Sequence, residues 1–136
     1  MEYQRASELS SSQVSQLCAL YQSEWWTAGR SLADVQTMVQ NSSLIFGVVT
    51  PTKELVGFVR VLTDKIYKAF IFDMIVSSEH REKGLGGLLM EWVLSHPALR
   101  EVKHFELYCL PEMRAFYEKW DFVTDVGGID LMRRSV

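Results

Sequence analysis

The most constraining feature of this sequence is one stretch, residues 70–92. It opens with the run FIFDMIV, in which β-branched and aromatic residues are interrupted only by Asp73, a pattern that predicts a buried strand. A basic, glycine-rich segment follows at residues 81–87. Apolar residues then return with the spacing of one helix face, at Leu85, Leu88, Leu89, Trp92 and Val93. The stretch therefore predicts a strand, a turn and an amphipathic helix in direct succession.

Residues 81–87 have the composition of an anion-binding turn. The first backbone N–H groups of a helix lack intrahelical partners and lie at the positive end of its dipole, so they attract phosphate. Three glycines present no side chain that would block a ligand, while Arg81 and Lys83 add positive charge. The alternative is a simple surface turn, since glycine patterns alone are weak evidence. The position between a strand and a helix favours anion binding.

The spacing excludes the two best-known nucleotide-binding loops. A P-loop needs Gly-Lys-Ser/Thr after four spacer residues, whereas Gly86 is followed by Gly87 and Leu88. A dinucleotide-binding turn needs its first glycine directly after the strand, whereas Gly84 comes eight residues after Val76. Neither motif describes this segment.

Two segments instead resemble one known family. The segment Arg81-Glu82-Lys83-Gly84-Leu85-Gly86 resembles the acyl-CoA-binding signature Arg/Gln-x-x-Gly-x-Gly/Ala of the GNAT superfamily of acetyl-CoA-dependent N-acetyltransferases. Upstream, Asp73-Met74-Ile75-Val76 is similar to the family's fourth strand. Downstream, Phe116-Tyr117-Glu118-Lys119-Trp120-Asp121-Phe122 is similar to the family's Phe-Tyr-Glu-Lys-x-Gly-Phe segment, with Asp121 where glycine is usual. Two motifs in the expected order are more specific than either alone.

This resemblance implies a fold and a cosubstrate. The implied fold is a GNAT-like α+β fold, in which helices flank a central mixed, mostly antiparallel sheet whose parallel strands 4 and 5 splay apart. The implied cosubstrate is acetyl-CoA, with its pantetheine arm along strand 4 and its pyrophosphate on the following amides. The residues implied in cofactor binding are Met74, Ile75, Val76, Arg81, Glu82, Lys83, Gly84, Leu85, Gly86 and Gly87.

Patterns along the rest of the chain predict the element order βααβββαβαβ(β). The predicted strands lie at residues 2–6, 44–50, 55–62, 67–76, 104–110, 122–124 and 129–133. The predicted helices are one from Val14 to Tyr21 after the hydroxyls of Ser10–Ser12, one from Leu32 to Asn41 after Ser31, a crossover after Gly87, and a short one beginning at Pro111. Asp121 is expected to end this last helix in a left-handed conformation.

Tyr117 is the first candidate catalytic residue. By resemblance it matches the family tyrosine near the CoA sulfur that is assigned as general acid. A phenol with an ordinary pKa of about 10 stays protonated at neutral pH and can donate. The alternative is that Tyr117 only packs beside Phe116 in the core.

Asp73 is the second candidate, and its role is open. An acid inside an apolar strand is costly to bury unless it is paired or reaches water, so it is expected to face a cleft. There it could bind the ammonium group of a substrate or accept its proton through water. Equally, it could form a hydrogen bond to a neighbouring loop or to a basic residue such as Arg60.

Trp25 and Trp26 are candidate substrate-binding residues. They lie in the break between the first two helices, a segment that borders the acceptor site in the family. An aromatic wall there could hold a cation. Alternatively, one of the pair belongs to the core, as large aromatic residues usually do.

Composition limits the remaining possibilities. The chain has 136 residues, 48% apolar and 23% charged, with a net charge of −3, which predicts one globular domain (residues 1–136) and no nucleic-acid surface. No apolar run approaches the length of a membrane span, and the N-terminus lacks a signal-peptide pattern, so we expect a cytoplasmic protein. The two cysteines and three histidines show no metal-ligand spacing. A homodimer is expected from the family.

The leading functional hypothesis is an N-acetyltransferase that transfers acetyl from acetyl-CoA to a primary amine of a small, cationic acceptor, through a ternary complex. The first alternative is a non-catalytic acyl-CoA-binding or sensing domain. The second is a phosphate-binding module for another nucleotide. The identity of the acceptor cannot be predicted from the sequence, because loop side chains vary without changing the fold.

Overall fold

The computed structural model describes residues 2–136, within which the chain forms five strands and four α-helices. The strands are β1 (Gln4–Ala6), β2 (Leu44–Val49), β3 (Leu55–Thr63), β4 (Lys68–Val76) and β5 (His104–Leu107). The helices are α1 (Ser11–Gln22), α2 (Leu32–Asn41), α3 (Leu85–Leu94) and α4 (Arg114–Glu118), with 3₁₀ turns at Ser78–His80, Pro97–Leu99 and Pro111–Met113. The predicted element order is therefore correct as far as α4.

The five strands form one sheet whose spatial order follows the chain, β1-β2-β3-β4-β5. The pairings from β1 to β4 are antiparallel, whereas β4 and β5 are parallel. A parallel pair needs a crossover connection, and α3 provides it. This mixed, mostly antiparallel sheet with flanking helices confirms the predicted fold class.

Helices cover both faces of the sheet and create two apolar cores. The α1/α2 core contains Val14, Leu17, Tyr21, Val35, Val49, Leu55, Phe58 and Ile75. The α3/α4 core contains Phe46, Val48, Val56, Val59, Val61, Ala69, Ile71, Leu85, Leu89, Met90, Val93, Leu99 and Tyr117. On β3, Phe58 faces the first core and its neighbour Val59 faces the second, as the two-residue period of a strand requires.

The first two helices begin at the predicted caps. Ser10 Oγ accepts from the Gln13 amide at 3.1 Å, and the Gln13 side chain accepts from the Ser10 amide at 2.9 Å, which completes a capping box before α1. Before α2, Ser31 Oγ accepts from the Asp34 amide at 3.1 Å. These bonds satisfy amides that a helix start leaves unpaired.

β4 and β5 stay paired for only part of their length. Their parallel pairing ends at Ile71 and Leu107, although β4 continues to Val76. The predicted strand at residues 104–110 is therefore too long, since β5 ends at Leu107. Just beyond Ile71 the β3/β4 register shifts, and such irregularities bend a strand away from its neighbour. The result is a gap between the two strands, called the β4/β5 gap below.

The prediction of two final strands, at residues 122–124 and 129–133, is wrong. Within the described part of the chain, nothing pairs with the outer edge of β5, and no strand follows α4. The apolar side chains that suggested strands lie in solvent: Val123, Ile129 and Leu131 are 67%, 64% and 60% exposed. β-branched residues favour a strand only where a sheet surface packs them, and this segment has none.

Residues 2–136 contain neither a membrane-spanning helix nor a cluster of metal-binding side chains. No helix in that range is both long and apolar enough to cross a membrane. No group of three or more His, Cys, Asp or Glu side chains there could hold a metal ion.

Candidate active site

The turn before α3 presents a run of unpaired backbone amides. The N–H groups of residues 81–87 donate to no acceptor in the described chain, and the first helical bond runs from the Leu88 amide to the Gly84 carbonyl oxygen at 3.0 Å. α3 has no side-chain cap and no acidic residue in its first turn. Unpaired amides at a helix start attract anions. This segment, called the amide cradle below, is therefore suited to a phosphate or pyrophosphate.

The three glycines of the amide cradle lie in different structural environments. Gly84 adopts a left-handed φ of +76°, and a Cβ there would meet nothing within 4 Å, so backbone conformation alone favours glycine. A Cβ on Gly86 would lie 3.1 Å from Phe116 Cζ, whereas one on Gly87 would lie 3.6 Å from Trp120. Both of these glycines lie inside α3, which begins at Leu85 and so starts earlier than predicted. The small size of Gly86 lets Phe116 of α4 approach α3, whereas Gly87 leaves room for a methyl group.

The basic residues of the amide cradle differ in what they contact. Arg81 Nε donates to the Val76 carbonyl oxygen at 3.3 Å, and Arg81 Nη2 forms an ion pair with Glu24 Oε1. Lys83 is exposed and forms no ion pair with any described residue. Lys83 therefore supplies free charge, while Arg81 connects the amide cradle to the loop after α1.

The second half of β4 has an open backbone edge. Met74 and Val76 pack beside the α3/α4 core, and Ile75 belongs to the α1/α2 core. Beyond Ile71 no strand pairs with the β4 edge that faces β5 in the described chain. Its peptide groups can therefore pair with an extended ligand in the way a further strand would. One 3₁₀ turn, Ser78–His80, separates this open edge from the amide cradle.

A β-bulge sets the direction of the Asp73 side chain. The β3/β4 register shifts by one residue there, and Asp73 has a left-handed φ of +60°. Strict alternation would direct Asp73 into the α3/α4 core, as it directs Ile71 two residues earlier. The bulge turns Asp73 to the opposite face, beside Arg60. Aspartate tolerates left-handed backbone better than most residues, so the acid in this strand is a bulge residue.

Two arginines hold the Asp73 carboxylate. Arg30 donates from Nη1 to Oδ2 at 2.8 Å and from Nη2 to Oδ1 at 3.2 Å. Arg60 donates from Nε to Oδ2 at 2.8 Å, and the Tyr21 hydroxyl makes a longer contact with the same oxygen at 3.4 Å. The Asp73 side chain is only 8% exposed. These four residues, Tyr21, Arg30, Arg60 and Asp73, are called the arginine–aspartate cluster below.

The electrostatics of this cluster keep Asp73 ionised. Burial disfavours the charged carboxylate, but the hydrogen bonds from Arg30 and Arg60 outweigh it and hold the pKa of Asp73 below its ordinary value. Burial and the neighbouring carboxylate raise the pKa of Tyr21, so its phenol stays neutral. A carboxylate with a lowered pKa is a weak base. The contacts therefore favour pairing with arginine over proton transfer as the role of Asp73.

From the sequence, Tyr21 is predicted only as part of a helix and Arg30 only as part of a loop. In the structure, the Arg30 guanidinium lies 4.7 Å from the centre of the Tyr21 ring, and both side chains contact Asp73. They are 52 and 43 residues away from it in the chain. No local pattern could have found them, because only the packing of α1 and the following loop against the sheet brings them there.

Tyr117, on α4, is almost buried but has an open hydroxyl. Its ring packs edge-on against Phe116 and Phe122, with ring centroids 5.0 and 6.2 Å away. The hydroxyl bonds to no described residue, yet no buried side-chain nitrogen or oxygen among those residues lacks a partner, so the hydroxyl reaches solvent. Burial raises the pKa of Tyr117 to about 12, and nearby Cys109 adds to the shift. At neutral pH this group is a protonated donor.

Trp25 and Trp26 both lie on the surface of the loop after α1. Their side chains are 74% and 39% exposed, so neither belongs to the core. Thr27 anchors the loop from below, with its hydroxyl donating to the Tyr21 carbonyl oxygen at 2.8 Å. Glu24, next to Trp25, is the residue that pairs with Arg81. The loop that carries Arg30 therefore also lies beside the amide cradle.

The structure places the two catalytic candidates on opposite faces of the sheet. Tyr117 belongs to the α3/α4 core, whereas Asp73 contacts Tyr21 of α1 on the other face. The β4/β5 gap lies between these faces, because pairing ends at Ile71 and Leu107. A ligand that crosses the gap would contact both the Tyr117 side and the cluster side.

Fold and site together define a class of protein. A mixed sheet whose parallel strands part beside an uncapped amide cradle fits a ligand with a pyrophosphate and an extended arm. Residues 42–124 match the acetyltransferase (GNAT) domain family. Since this match covers more than half of the chain, from β2 through α4, the protein belongs to the GNAT acetyltransferase family. The resemblance inferred from the sequence is thereby confirmed.

Related sequences carry the same assignment. The N-acetyltransferase ycf52 of Pyropia yezoensis, itself uncharacterized, is 28% identical over 120 residues, which is 86% of this chain and 67% of the relative. The chloroplastic GCN5-related N-acetyltransferase 1 of Arabidopsis thaliana is 28% identical over 101 residues, 74% of this chain. The protein thus spans only 51% of the length of the Arabidopsis relative.

Solved structures share the fold over nearly the whole chain. A crystal structure from Xanthomonas campestris, attributed to the GNAT acetyltransferases, superposes with a TM-score of 0.85 at 27% identity and covers 100% of this chain and 94% of its own. A crystal structure from Deinococcus radiodurans R1, also attributed to the acetyltransferases, gives a TM-score of 0.79 at 25% identity, covering 96% and 88%. These similarities confirm the GNAT fold.

Proposed function

We propose that the protein is an N-acetyltransferase that moves acetyl from acetyl-CoA to a primary amine by direct transfer in a ternary complex. The observation that carries this proposal is the amide cradle, seven consecutive unpaired N–H groups that lie one short 3₁₀ turn beyond the open edge of β4. A pyrophosphate joined to an extended arm would satisfy both features. Acetyl-CoA has that form, and the GNAT family generally uses it.

The residues that would hold acetyl-CoA have separate tasks. The amide cradle would bind the pyrophosphate oxygens, with Lys83 adding charge-assisted contacts. The backbone of Met74 and Val76 would pair with the pantetheine arm. Arg81 would contribute after it exchanges Glu24 for a phosphate oxygen, because its guanidinium already has that partner.

Tyr117 is the proposed general acid. Acetyl-CoA supplies an activated acyl carbon, to which the amine nitrogen forms a C–N bond as the C–S bond breaks. The Tyr117 hydroxyl gives its proton to the departing thiolate and regains one from water, while the amine releases its proton to solvent. A pKa of about 12 keeps Tyr117 protonated until it is used.

Asp73 has a positioning role in this proposal. It is already paired with Arg30 and Arg60, so it fixes both guanidinium groups beside the β4/β5 gap. Trp25 and Trp26 are proposed to border the acceptor, since both rings are exposed in the loop that carries Arg30.

The test of the proposal compares Tyr117→Phe with the wild type. Free CoA release is measured with a panel of amines, and CoA binding is measured by calorimetry. We expect turnover to fall by about 10²- to 10⁴-fold, the usual contribution of a positioned acid, with CoA affinity unchanged because the ring is retained. Tyr67→Phe is the matched control, because Tyr67 is 62% exposed on the turn before β4.

The remaining outcomes select among other functions. Unchanged turnover in Tyr117→Phe would remove the tyrosine from the mechanism. CoA binding without transfer to any amine would indicate the non-catalytic acyl-CoA-binding domain. Thermal stabilisation by ATP or NAD, with none by CoA, would indicate a module for another nucleotide.

A further inference from the structure

Arg60 has hydrogen-bonding capacity that the protein itself does not use. Its Nε donates to Asp73, but its Nη1 and Nη2 groups donate to no described residue. No buried side-chain nitrogen in that part of the chain lacks a partner, so both Nη groups reach solvent although the side chain is only 16% exposed. The N–H groups on both Nη atoms therefore have no acceptor among the described residues and remain accessible to a ligand.

The arginine–aspartate cluster carries an excess positive charge. Two guanidinium groups, Arg30 and Arg60, share the single carboxylate of Asp73. The fourth member, Tyr21, remains a neutral phenol because burial raises its pKa. The cluster thus has a net charge of about +1 in the partly buried surroundings where charge is poorly screened.

An open aromatic surface lies next to Arg60. The rings of Phe70 and Phe72 stack with centroids 6.0 Å apart, and Tyr108 meets Phe72 edge-on at 5.8 Å. The Arg60 guanidinium lies 4.9 Å from the centre of the Phe72 ring. None of these three aromatic residues belongs to either core, and Tyr108 is 50% exposed. The free donors of Arg60 therefore lie at the rim of an apolar surface.

This surface borders the β4/β5 gap. Phe72 follows the last paired residue of β4, and Tyr108 follows the last paired residue of β5. The other face of the sheet is covered by α3 and α4, which carry Tyr117. Helices α1 and α2 pack on the face of Phe72 and Arg60 but leave these residues outside their apolar core, so the gap is approached from this side.

We propose that the acceptor amine also carries a carboxylate, which binds the free Nη groups of Arg60 while an apolar part of the acceptor lies on Phe72 and Tyr108. This inference rests on the proposed acetyl transfer and specifies the class of its acceptor. A guanidinium with two free nitrogens matches the planar geometry of a carboxylate. The excess positive charge disfavours the cationic acceptor that an isolated Asp73 suggested.

The test uses two amines that differ only in charge, 4-(aminomethyl)benzoate and 4-(aminomethyl)benzamide. Both present a benzylic amine and an aromatic ring, and only the first has a carboxylate. We expect the wild type to show kcat/KM at least about tenfold higher for the benzoate, as charge-assisted hydrogen bonds allow. Equal values for the two amines, or a preference for spermidine over both, would overturn the inference.

Variants of Arg60 assign the preference to that side chain. Arg60→Gln should bring the ratio of the two kcat/KM values close to one. Arg60→Lys keeps a positive charge beside Asp73 but lacks the guanidinium fork, so it should fold even where Arg60→Gln does not, and should lower the ratio at least threefold. Arg100→Gln is the control, since Arg100 is 79% exposed, and should keep the wild-type ratio. A ratio that Arg60→Lys leaves unchanged would contradict the proposal.

A binding measurement separates this inference from the proposed function. 4-(Acetamidomethyl)benzoate and its carboxamide are titrated into the wild-type protein with CoA, and ligand NMR signals report binding without turnover. Tighter binding of the benzoate that is lost in Arg60→Lys supports the carboxylate site, even if no amine is acetylated. Acetyl transfer without preference for the carboxylate would leave the proposed function intact and overturn the acceptor class. Equal binding of the two compounds would also overturn it.

Discussion

The two sides of the candidate active site, the amide cradle and the arginine–aspartate cluster, are built in opposite ways. The amide cradle is a continuous run of seven residues, 81–87, whose backbone N–H groups have no acceptor in the described chain. The arginine–aspartate cluster brings together residues 21, 30, 60 and 73 from two strands, a helix and a loop, and its carboxylate is held by two arginines. The amide cradle is local, and its N–H groups lack acceptors until a ligand binds. The arginine–aspartate cluster is assembled at long range, and its carboxylate already has its partners.

This contrast explains why the sequence predicted the amide cradle but not the arginine–aspartate cluster. Unpaired amides at a helix start bind phosphate through backbone geometry, which a short motif can specify. Side chains that converge from distant segments depend on packing, which no short motif records. The predictions below test this contrast, beginning with the largest expected effect.

Replacing the shared carboxylate should destabilise the protein most. In Asp73→Asn two partly buried guanidinium groups lose their counter-charge, so we expect the free energy of unfolding to fall by about 3 kcal/mol. Urea denaturation measures this. Asp130→Asn, the same change at an exposed position of the C-terminal segment, should stay within about 0.5 kcal/mol of wild type. Equal losses in both variants would mean that the cluster has no special structural role.

The stability difference between the wild type and Asp73→Asn should depend on pH. The pKa of Asp73 is lower in the folded state than its ordinary value of about 3.9, so its contribution is present above that value and is lost as pH falls through the folded pKa. The stability difference between wild type and Asp73→Asn should therefore shrink between about pH 5 and pH 2. A difference that stays constant in acid would contradict the ion pairing.

Substitutions of two cradle glycines should have opposite effects on stability. Gly84→Ala forces a side chain into a left-handed backbone and should cost about 1 kcal/mol. It should also weaken CoA binding severalfold, because the amides then reorient. Gly87→Ala lies inside α3 at an ordinary 3.6 Å from Trp120 and should stabilise by about 0.5 kcal/mol. Denaturation measures the stability of each variant, and calorimetry measures its affinity for CoA. If Gly84→Ala stabilised the protein, the backbone at residue 84 would not be held in the left-handed conformation.

The pH profile of acetyl transfer should report the burial of Tyr117. A phenol with an ordinary pKa of about 10 would keep only about a quarter of its protons at pH 10.5. With a pKa of about 12, Tyr117 stays almost entirely protonated there, so kcat should not decline between pH 9 and pH 10.5. Circular dichroism over the same range verifies folding. A fall of about fourfold would indicate an ordinary pKa.

The smallest expected effect concerns the ion pair between Glu24, in the loop after α1, and Arg81 of the amide cradle. Glu24→Gln releases Arg81 from its ion pair, leaving the guanidinium free for phosphate. Exposed pairs contribute up to about 1 kcal/mol, so CoA should bind up to about fivefold tighter by calorimetry. Glu101→Gln, in the exposed pair with Arg100 at 3.9 Å, is the matched control. Weaker CoA binding in Glu24→Gln would mean that the ion pair helps to form the amide cradle.

Most of the fold was predictable from local patterns. Ser10 and Ser31 cap their helices as expected, and Asp121 has the predicted left-handed backbone, with φ of +66°. The final strands were not predictable in the same way, since Ile129 and Leu131 have strand-forming side chains but no sheet surface to cover. Strand propensity requires a partner, and the partner is a property of the tertiary structure.

The sequence by itself indicated the strand, the glycine-rich helix start and the place of Tyr117, because side-chain periodicity, glycine content or a short motif marks each of them within a few residues. Only the tertiary structure decided which groups the Asp73 carboxylate contacts. One bulge reverses its direction, and Arg30 and Arg60 then meet it across 43 and 13 residues of chain. The direction of a strand side chain and its charge pairing depend on register and packing, which the local sequence does not show. The acid that suggested a cationic substrate therefore lies at the centre of a positively charged cluster.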